Sequence, residues 1–437
     1  MNMTIDEALD QGGAGRFQRR LLAIFGLVWA ADAMQVIAIG FAAPSLALSF
    51  GLTVPQALQA GTLFFLGMFV GASLFGRIAD RVGRRNVLLL TVACDAVFGL
   101  WSVFANDFTL LLLLRLLTGM AVGGTLPVDY AMMAEFLPAR NRGRWLVWLE
   151  GFWAIGTIII ALTVWIAATV GAAEPWRWIF LIAALPALIG IGLRLWVPES
   201  PMYLLRQGRE PEARAVVNRI LTVNGARPLA DSARLVLPAV SQPKGGIMGP
   251  DLRRRSLSIL AVWFLVSLSY YGVFVWLPSE LVKNGFGFVR GYGFLVLLAL
   301  AQVPGYALAA HGVERWGRKP TLILFLLLSA GGCLLFTLAP GDLVIAFSLL
   351  LMSFALLGTW GALYAYTPEL YPTSLRGTGM GAAGAVARLG GLLAPSLLGY
   401  VVAQGFGVAI GVFAGLLLLG AVAALLVEAE TRNATIA

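Results

Sequence analysis

Two short stretches about half a chain apart decide how this sequence is organised: Asp80-Arg-Val-Gly-Arg-Arg85 and Glu314-Arg-Trp-Gly-Arg-Lys319. A second match occurs at the same offset of 234 residues, between Glu135-Phe-Leu-Pro138 and Glu369-Leu-Tyr-Pro372. Two independent matches at one offset are hard to produce by chance, so they indicate an internal repeat. The chain is therefore predicted to consist of two halves with the same order of elements.

The composition predicts that both halves lie in a membrane. Of the 437 residues, 59% are hydrophobic and only 12% are charged, and the mean hydropathy is +0.85. A soluble globular protein has about twice this share of charged residues. So few charges cannot cover a water-facing surface, which excludes an ordinary soluble enzyme and favours a polytopic helical membrane protein.

Twelve apolar runs are long enough to cross a bilayer as helices, six on each side of a polar stretch. They lie near 21–49, 58–79, 86–105, 108–133, 144–170, 176–197, 256–279, 291–312, 320–339, 342–366, 378–403 and 406–427. We therefore predict an all-α membrane protein with a six-helix bundle over 1–197, a linker over 198–255 and a second six-helix bundle over 256–437. Within the linker, Glu210–Val223 has the pattern of a short amphipathic helix.

The positions of the basic residues predict the orientation. Most lysines and arginines precede the first run or follow the even-numbered runs, whereas the alternate loops hold only Arg177, Lys283 and Arg290. By the positive-inside rule, both termini and the linker are cytoplasmic. The net charge of +9 is thus explained by membrane topology, and we expect no nucleic-acid partner.

The sequence carries no pattern that predicts an enzyme. Its two cysteines, Cys94 and Cys333, each lie inside an apolar run, and no metal-ligand cluster or nucleophilic triad is visible. A phosphate-binding loop of the Walker type is also lacking, which argues against ATP as the energy source. We therefore expect no cofactor and a proton gradient as the driving force.

The repeated loop resembles a known signature. Gly76-Arg-Ile-Ala-Asp80-Arg-Val-Gly83-Arg84-Arg85 is similar to the signature loop of the Major Facilitator Superfamily, and the resemblance extends over the whole chain. Pro198-Glu-Ser-Pro201 and Pro368-Glu-Leu-Tyr-Pro-Thr-Ser-Leu-Arg-Gly377 resemble the sugar porters and the organic cation and anion transporters, with their synaptic-vesicle-protein and bacterial niacin-permease relatives. The resemblance implies two pseudo-symmetric bundles that transport a small molecule by alternating access, and we expect a monomer in the bilayer.

The loop residues also suit a charge network at the cytoplasmic face. Gly83 permits a tight turn between helices, and Asp80 is an anion that a helix N-terminus would favour. The arginines can form forked pairs with carboxylates and so stabilise one conformation of an alternating-access protein. The candidates are Asp80, Arg81, Arg84, Glu135, Arg142, Glu199, Glu314, Arg318, Glu369, Arg376 and Glu430. The alternative is that the basic residues only set the topology.

Placing an ionisable residue inside a membrane span costs free energy, so each such residue indicates a structural or functional role. Asp32 and Arg388 lie near the middle of their runs, one in each half, and Asp129 and Glu150 lie shallower. Asp95 and Arg115 are expected to pair with each other. We predict that Asp32 couples transport to protons, with Glu150 as the second candidate.

Arg388 is the predicted anchor for the substrate. Its segment resembles the span-eleven motif of the organic ion transporters, in which the anion carriers have an arginine, and a guanidinium fits a carboxylate. The other predicted substrate-binding residues are Tyr130, Glu150, Trp153, Trp263, Tyr270 and Gln35. The alternatives are that Arg388 pairs permanently with a buried acid such as Asp32, and that the rings are ordinary helix packing.

The expected function is uptake of a small organic anion, such as nicotinate, by proton symport across an inner or plasma membrane. Gln35 and Gln302 are almost the only amides inside the runs, which argues against a sugar carrier. An antiporter or exporter of organic cations or drugs, a sugar-porter-like permease, a uniporter and a non-transporting membrane receptor remain alternatives. Gly67 and Gly71, with Gly119 and Gly123, predict close packing of the second and fourth spans.

Overall fold

The computed structural model describes residues 2–138, 142–237, 245–284, 292–339, 341–372, 375–402, 404–428 and 430–431. The side chains at positions 76, 77, 80, 193, 278–284, 377, 395–400 and 402 are outside this description. The predicted network residue Asp80 is one of them.

Twelve long helices in the described part of the chain match the twelve predicted spans. They are α2 (Arg16–Phe50), α4 (Gln59–Val82), α5 (Arg84–Ser102), α6 (Phe108–Glu135), α7 (Arg142–Thr169), α8 (Pro175–Arg194), α11 (Arg253–Asn284), α12 (Tyr292–Arg315), α13 (Arg318–Thr337), α14 (Asp342–Tyr366), α15 (Arg376–Val402) and α16 (Phe406–Leu426). Eleven of them are apolar enough over the described residues to cross a membrane, and α15 is the twelfth. The predicted helical fold of two six-helix bundles is confirmed.

Shorter elements lie at one end of the bundles, which we call the linker face because it carries α9 (Pro201–Arg206) and α10 (Glu210–Val223). The opposite end is called the distal face, where α3 (Val54–Ala57) connects α2 to α4. The helix predicted in the linker is confirmed as α10. The predicted division at 197 and 255 stays a prediction, and α11 begins slightly before it, at Arg253.

The N-terminal segment forms two elements that the sequence did not predict. The strand β1 (Asn2–Thr4) pairs in parallel with β2 (Arg234–Val236) of the linker, and α1 (Ile5–Gly12) follows it with Thr4 and Glu7 as a capping box. Asn224 then joins this segment to the first span, because its Oδ1 accepts from the Phe17 amide at 3.0 Å. The N-terminus is therefore fixed to the linker face.

Glycines allow α4 and α6 to pack in backbone contact, as predicted. A Cβ atom added at Gly71 would overlap the carbonyl oxygen of Met120, and one added at Gly119 would overlap that of Phe64. The second half repeats this arrangement with α12 and α14, since a Cβ at Gly305 would overlap the Phe354 carbonyl. In each half, glycine thus lets equivalent helices come into backbone contact.

The two halves contact each other along a seam that runs through the whole molecule. Toward the distal face, a Cβ atom at Gly40 of α2 would lie 2.7 Å from the carbonyl oxygen of Val275 of α11. Nearby, Phe65 of α4 stacks edge-on against Tyr271, with ring centroids 4.7 Å apart. Contacts at the linker face, described below, close the other end of the seam.

Candidate functional site

Aromatic rings from both halves meet in the middle of the seam, and we call this group the central cluster. Its members are Trp29, Tyr130 and Trp153 of the first half and Trp263, Tyr270, Tyr271, Trp360 and Tyr364 of the second. Tyr364 contacts Trp263 at a centroid distance of 4.7 Å, and Tyr270 contacts Trp360 at 5.9 Å. All these contacts are edge-on or tilted, the geometries that ring quadrupoles favour.

Two hydrogen bonds join the halves within the central cluster. The indole of Trp153 donates to the Tyr270 hydroxyl at 2.9 Å, and the Tyr130 hydroxyl donates to the backbone carbonyl of Tyr364 at 3.1 Å. Tyr130 and Tyr364 are separated by 234 residues, the offset of the repeat. Tyr130 and Tyr364 are therefore equivalent positions of the two repeats. Because equivalent residues contact each other only near the axis that relates the halves, this contact lies at the pseudo-symmetry axis.

Arg388 of α15 lies beside the central cluster with its side chain only 3% exposed. Its guanidinium is within electrostatic range of Glu150 and Asp32 and of the hydroxyls of Tyr271 and Tyr364. Among the described residues it forms no ion pair within 4.0 Å, and its Nε has no hydrogen-bond partner. A buried guanidinium in this situation retains at least its Nε–H donor for an added anion.

Two carboxylates face the same region from the first half. Glu150 is 2% exposed and Asp32 is 1% exposed. In the described part of the protein, neither oxygen of Asp32 has a hydrogen-bond partner and neither does Oε1 of Glu150, and the Trp29 indole lies beside Glu150. Burying an unpaired charge is expensive, so both sites favour a bound proton or a positively charged neighbour.

Asp32 also borders a second polar group, which lies inside the first bundle. Asp129 forms a fully buried ion pair with Arg194, whose guanidinium lies over the Phe25 ring at 4.8 Å. Arg194 is not among the residues predicted from the sequence. Arg194 lies near the end of the sixth apolar run. The acid with which it pairs, Asp129, was predicted inside the fourth run.

Asp95 and Arg115 do not pair directly, contrary to expectation. Arg115 donates to the side-chain Oε1 of Gln35 at 2.8 Å and to its backbone carbonyl at 2.9 Å, and it lies between the rings of Phe64 and Phe180. Gln35 also lies near Asp95, but its Nε2 has no hydrogen-bond partner among the described residues. Because Gln35 is completely buried in the first bundle, its role in substrate binding stays a prediction.

The linker face carries two equivalent charge clusters. In the first half, Arg84 pairs with Glu135 at 2.5 Å, and Glu135 accepts from the Ser200 hydroxyl. Glu199 caps the N-terminus of α5 by accepting from the Arg85 amide at 3.2 Å. The carboxylates therefore bind both an arginine and a helix N-terminus, where the helix dipole stabilises them.

The second half has the same arrangement. Arg318 forms a forked pair with Glu369 at 2.9 and 3.0 Å, and Glu369 accepts from the Thr431 hydroxyl at 2.6 Å. Glu430 accepts from the backbone amides of Arg318 and Lys319, both at 3.0 Å. Glu314 is more distant, 3.9 Å from Arg318.

The other predicted members of the network have different partners. Arg142 pairs with Asp6 of α1 at 2.6 Å, and Arg376 donates to the Pro368 carbonyl at 3.0 Å. Arg376 also interacts electrostatically with both Asp6 and Arg142. Arg81 is exposed, and its carbonyl accepts from the Tyr203 hydroxyl at 3.3 Å.

The two halves also approach each other at the linker face. Gly143, at the start of α7, lies close to the Arg318–Glu369 pair of the second half, since a Cβ atom there would be 3.6 Å from the Glu369 carboxylate. This contact joins the halves at the linker face, and the Tyr130–Tyr364 hydrogen bond joins them within the central cluster.

The sequence model of one family matches most of the chain. This family is the Major Facilitator Superfamily, and its model matches residues 21–395 and 292–436. The chain belongs to the Major Facilitator Superfamily. It is therefore a multi-pass membrane transporter for a small molecule, and the resemblance of its signature loops is confirmed.

Individual members of the superfamily are similar over nearly the whole length. The niacin transporter NiaP of Acinetobacter baylyi is 36% identical over 97% of this chain and 96% of its own. The synaptic vesicle 2-related protein of Xenopus laevis is 31% identical over 98% of this chain and 81% of its own. The proton:xylose symporter XylE has the same fold, with a TM-score of 0.77 and 18% identity over 96% of this chain and 97% of XylE, a protein from E. coli.

Proposed function

We propose that this transporter takes up a small aromatic carboxylate, such as nicotinate, by proton symport and alternating access. The observation that carries the proposal is Arg388, a buried guanidinium without an ion-pair partner among the described residues, placed at the seam beside rings from both halves. A flat anionic ring would pack between the aromatic side chains while its carboxylate accepts from the guanidinium. The similarity to a niacin transporter supports the same substrate class.

The proposed orientation places the linker face in the cytoplasm of a cell with an inner or plasma membrane. It is supported by the excess of basic residues at that face. The Arg318–Glu369 pair lies against Gly143 of the first half and so stabilises the conformation that is closed to the cytoplasm, and Arg84–Glu135 is the equivalent pair of the first half. Opening that face requires these contacts to separate from their neighbours in the opposite half, while the central cluster becomes accessible.

Asp32 is the proposed site of proton coupling. Neither of its oxygens has a hydrogen-bond partner among the described residues, so a proton can bind there without breaking an existing contact, and it is within electrostatic range of Arg388. A carboxylate substrate on Arg388 removes the positive charge that favours ionised Asp32, so anion binding and proton binding at these two residues support each other.

The proposal is tested by uptake of radiolabelled nicotinate into proteoliposomes. We expect Arg388→Gln to lower the initial rate at least about tenfold, because a charge-assisted hydrogen bond to the anion is lost. Arg209→Gln is the control, since Arg209 is an exposed linker residue paired with Glu212. Retained nicotinate uptake in Arg388→Gln would contradict the assigned anchor.

One observation favours a second function, transport of an organic cation. Glu150 is a buried carboxylate beside Trp29, and a cation could bind between such a carboxylate and aromatic faces. Competition experiments distinguish the two functions. For an anion transporter, benzoate inhibits the uptake of nicotinate. For a cation transporter, tetraethylammonium inhibits the uptake of an organic cation.

A further inference from the structure

Four rings of the central cluster are related by the offset of the repeat, and we call them the symmetric rings. Trp29 and Trp263 are 234 residues apart in the sequence, as are Tyr130 and Tyr364. The two tyrosines contact each other at a centroid distance of 5.2 Å. Trp29 contacts both tyrosines, and Trp263 contacts Tyr364. The symmetric rings therefore join the two halves at the pseudo-symmetry axis.

The symmetric rings lie between Arg388 and the linker face, where α6 and α14 end and α15 begins. Tyr130 is five residues before the end of α6 at Glu135, which is about 8 Å along the helix. Tyr364 is two residues before the end of α14 at Tyr366. Arg388 is twelve residues, or about 18 Å, from the start of α15. A molecule that moves along the seam from Arg388 to the linker face therefore passes these rings.

The two tryptophans are held differently although they are equivalent positions. The Trp263 indole donates to the Thr367 hydroxyl at 2.8 Å, and that hydroxyl donates to the Leu363 carbonyl at 2.7 Å. The residue that corresponds to Thr367 in the first half is Met133, which has no hydroxyl. The Trp29 indole has no hydrogen-bond partner among the described residues. One ring is thus fixed by its own half, and the other is not.

The ring contacts of the two tryptophans show the same difference. Trp263 lies 4.7 Å from Tyr364 and 5.4 Å from Trp360, both edge-on. Trp29 contacts Tyr130 and Tyr364 at the longer centroid distances of 6.1 and 6.2 Å, at which the attraction between rings is weaker. Because Trp29 is only 1% exposed, its ring can turn only when the seam around it opens.

Glu150 connects Trp29 to the proposed substrate anchor. It lies beside the Trp29 indole and within electrostatic range of Arg388, and its Oε1 has no hydrogen-bond partner among the described residues. An anion that binds to Arg388 weakens the attraction between this guanidinium and Glu150. The carboxylate is then free to accept a hydrogen bond from the Trp29 indole.

We propose that Trp29 is the movable ring of a gate on the linker side of Arg388, and that Trp263 is its fixed counterpart. The inference rests on the proposed function, because the gate acts on the anion that Arg388 binds. In this conformation Trp29 closes the route to the linker face. When the halves separate at that face, the indole turns toward Glu150 and the route opens.

The rates of nicotinate binding distinguish a gate from a binding residue. Association and dissociation are measured by stopped flow on the purified full-length protein. For Trp29→Ala we expect both rate constants to rise about tenfold and the dissociation constant to change less than about twofold, because a gate alters the barrier and not the bound state. Trp178→Ala is the control, since Trp178 is 55% exposed on the outside of α8. A weaker dissociation constant with an unchanged association rate, or two unchanged rate constants, would overturn the proposal.

Fluorine NMR compares the two tryptophans without any substrate. The full chain is labelled with 5-fluorotryptophan, and the resonances are assigned with Trp29→Phe and Trp263→Phe. We expect the Trp29 resonance to be broadened by exchange between two positions, whereas Trp263 gives a single sharp line. Equal line widths would overturn the proposal. Should Trp29→Phe not fold, Trp29→Tyr provides the same assignment. If nicotinate does not bind, the proposed function fails, and the line widths still decide which ring moves.

Discussion

At the scale of single residues, the main feature is that opposite charges near the seam are close but not joined. Arg388 is buried beside Asp32 and Glu150, yet it forms no ion pair within 4.0 Å in the described part of the chain. Asp129 and Arg194, in contrast, form a closed pair inside the first bundle. In a closed pair the two charges neutralise each other, which suits a structural role, whereas separated charges can each bind a partner from outside.

Asp32→Asn is predicted to uncouple transport from the proton gradient. The amide cannot release a proton, and it fits a site where neither carboxylate oxygen has a partner among the described residues. Nicotinate accumulation in proteoliposomes with an imposed pH gradient should fall to the equilibrium level, while counterflow continues.

Asp107→Asn is the matched control for this variant. Asp107 caps α6 by accepting from the Leu110 amide at 2.9 Å, and asparagine caps a helix equally well. If Asp32→Asn still accumulates nicotinate in response to the pH gradient, the coupling role of Asp32 is wrong.

At the scale of elements, close helix pairs and short capping segments determine how the bundles hold together. The contact of α4 with α6 depends on glycines that leave no space for a side chain. The linker face depends instead on α1, which brings Asp6 to Arg142 and near Arg376, the corresponding arginines of the two repeats. A helix outside both bundles thus neutralises like charges that face each other across the seam.

Gly71→Ala is predicted to destabilise the protein by about 2 kcal/mol, since a methyl group overlaps the Met120 carbonyl and forces the helices apart. The melting temperature of the detergent-solubilised protein measures the effect. Gly151→Ala, at a helical position with nothing within 4 Å of the added atom, should leave that temperature unchanged or slightly higher. Equal melting temperatures for both variants would show that the α4–α6 contact is not close.

Asp6→Asn is predicted to favour opening of the linker face. Without this carboxylate, Arg142 and Arg376 repel each other across the seam, and the open population rises up to about fivefold, because a partly exposed ion pair contributes at most about 1 kcal/mol. Spin labels at Val82 and Trp316, both exposed, report the distance between the halves. Asp10→Asn on the exposed side of α1 is the control, and an unchanged distance distribution in Asp6→Asn would contradict this role.

At the scale of the whole molecule, the repeat determines where the halves meet. Tyr130 and Tyr364 occupy equivalent positions and form a hydrogen bond with each other, and the Arg84–Glu135 and Arg318–Glu369 pairs are equivalent in the same way. In the proposed mechanism the two bundles rock about this axis and expose the central cluster to one face at a time, as alternating access requires.

The helices and the charge clusters could be predicted from the sequence because both depend on local patterns. Apolar length alone identified the spans, and the repeated loop motif identified Arg84 and Arg318. The pairing of β1 with β2 could not be predicted, because three-residue strands far apart in the sequence have no local signal. Trp360 and Tyr364 were missed for a similar reason, although the repeat offset from Tyr130 points to Tyr364.

The most direct test of the account is an experimental map of the protein with nicotinate bound. The account predicts the nicotinate carboxylate within hydrogen-bond distance of the Arg388 guanidinium, and its ring among Tyr130, Tyr270 and Trp360. Nicotinate at another place, or Arg388 joined to Asp32 or Glu150 while nicotinate is bound, would contradict it.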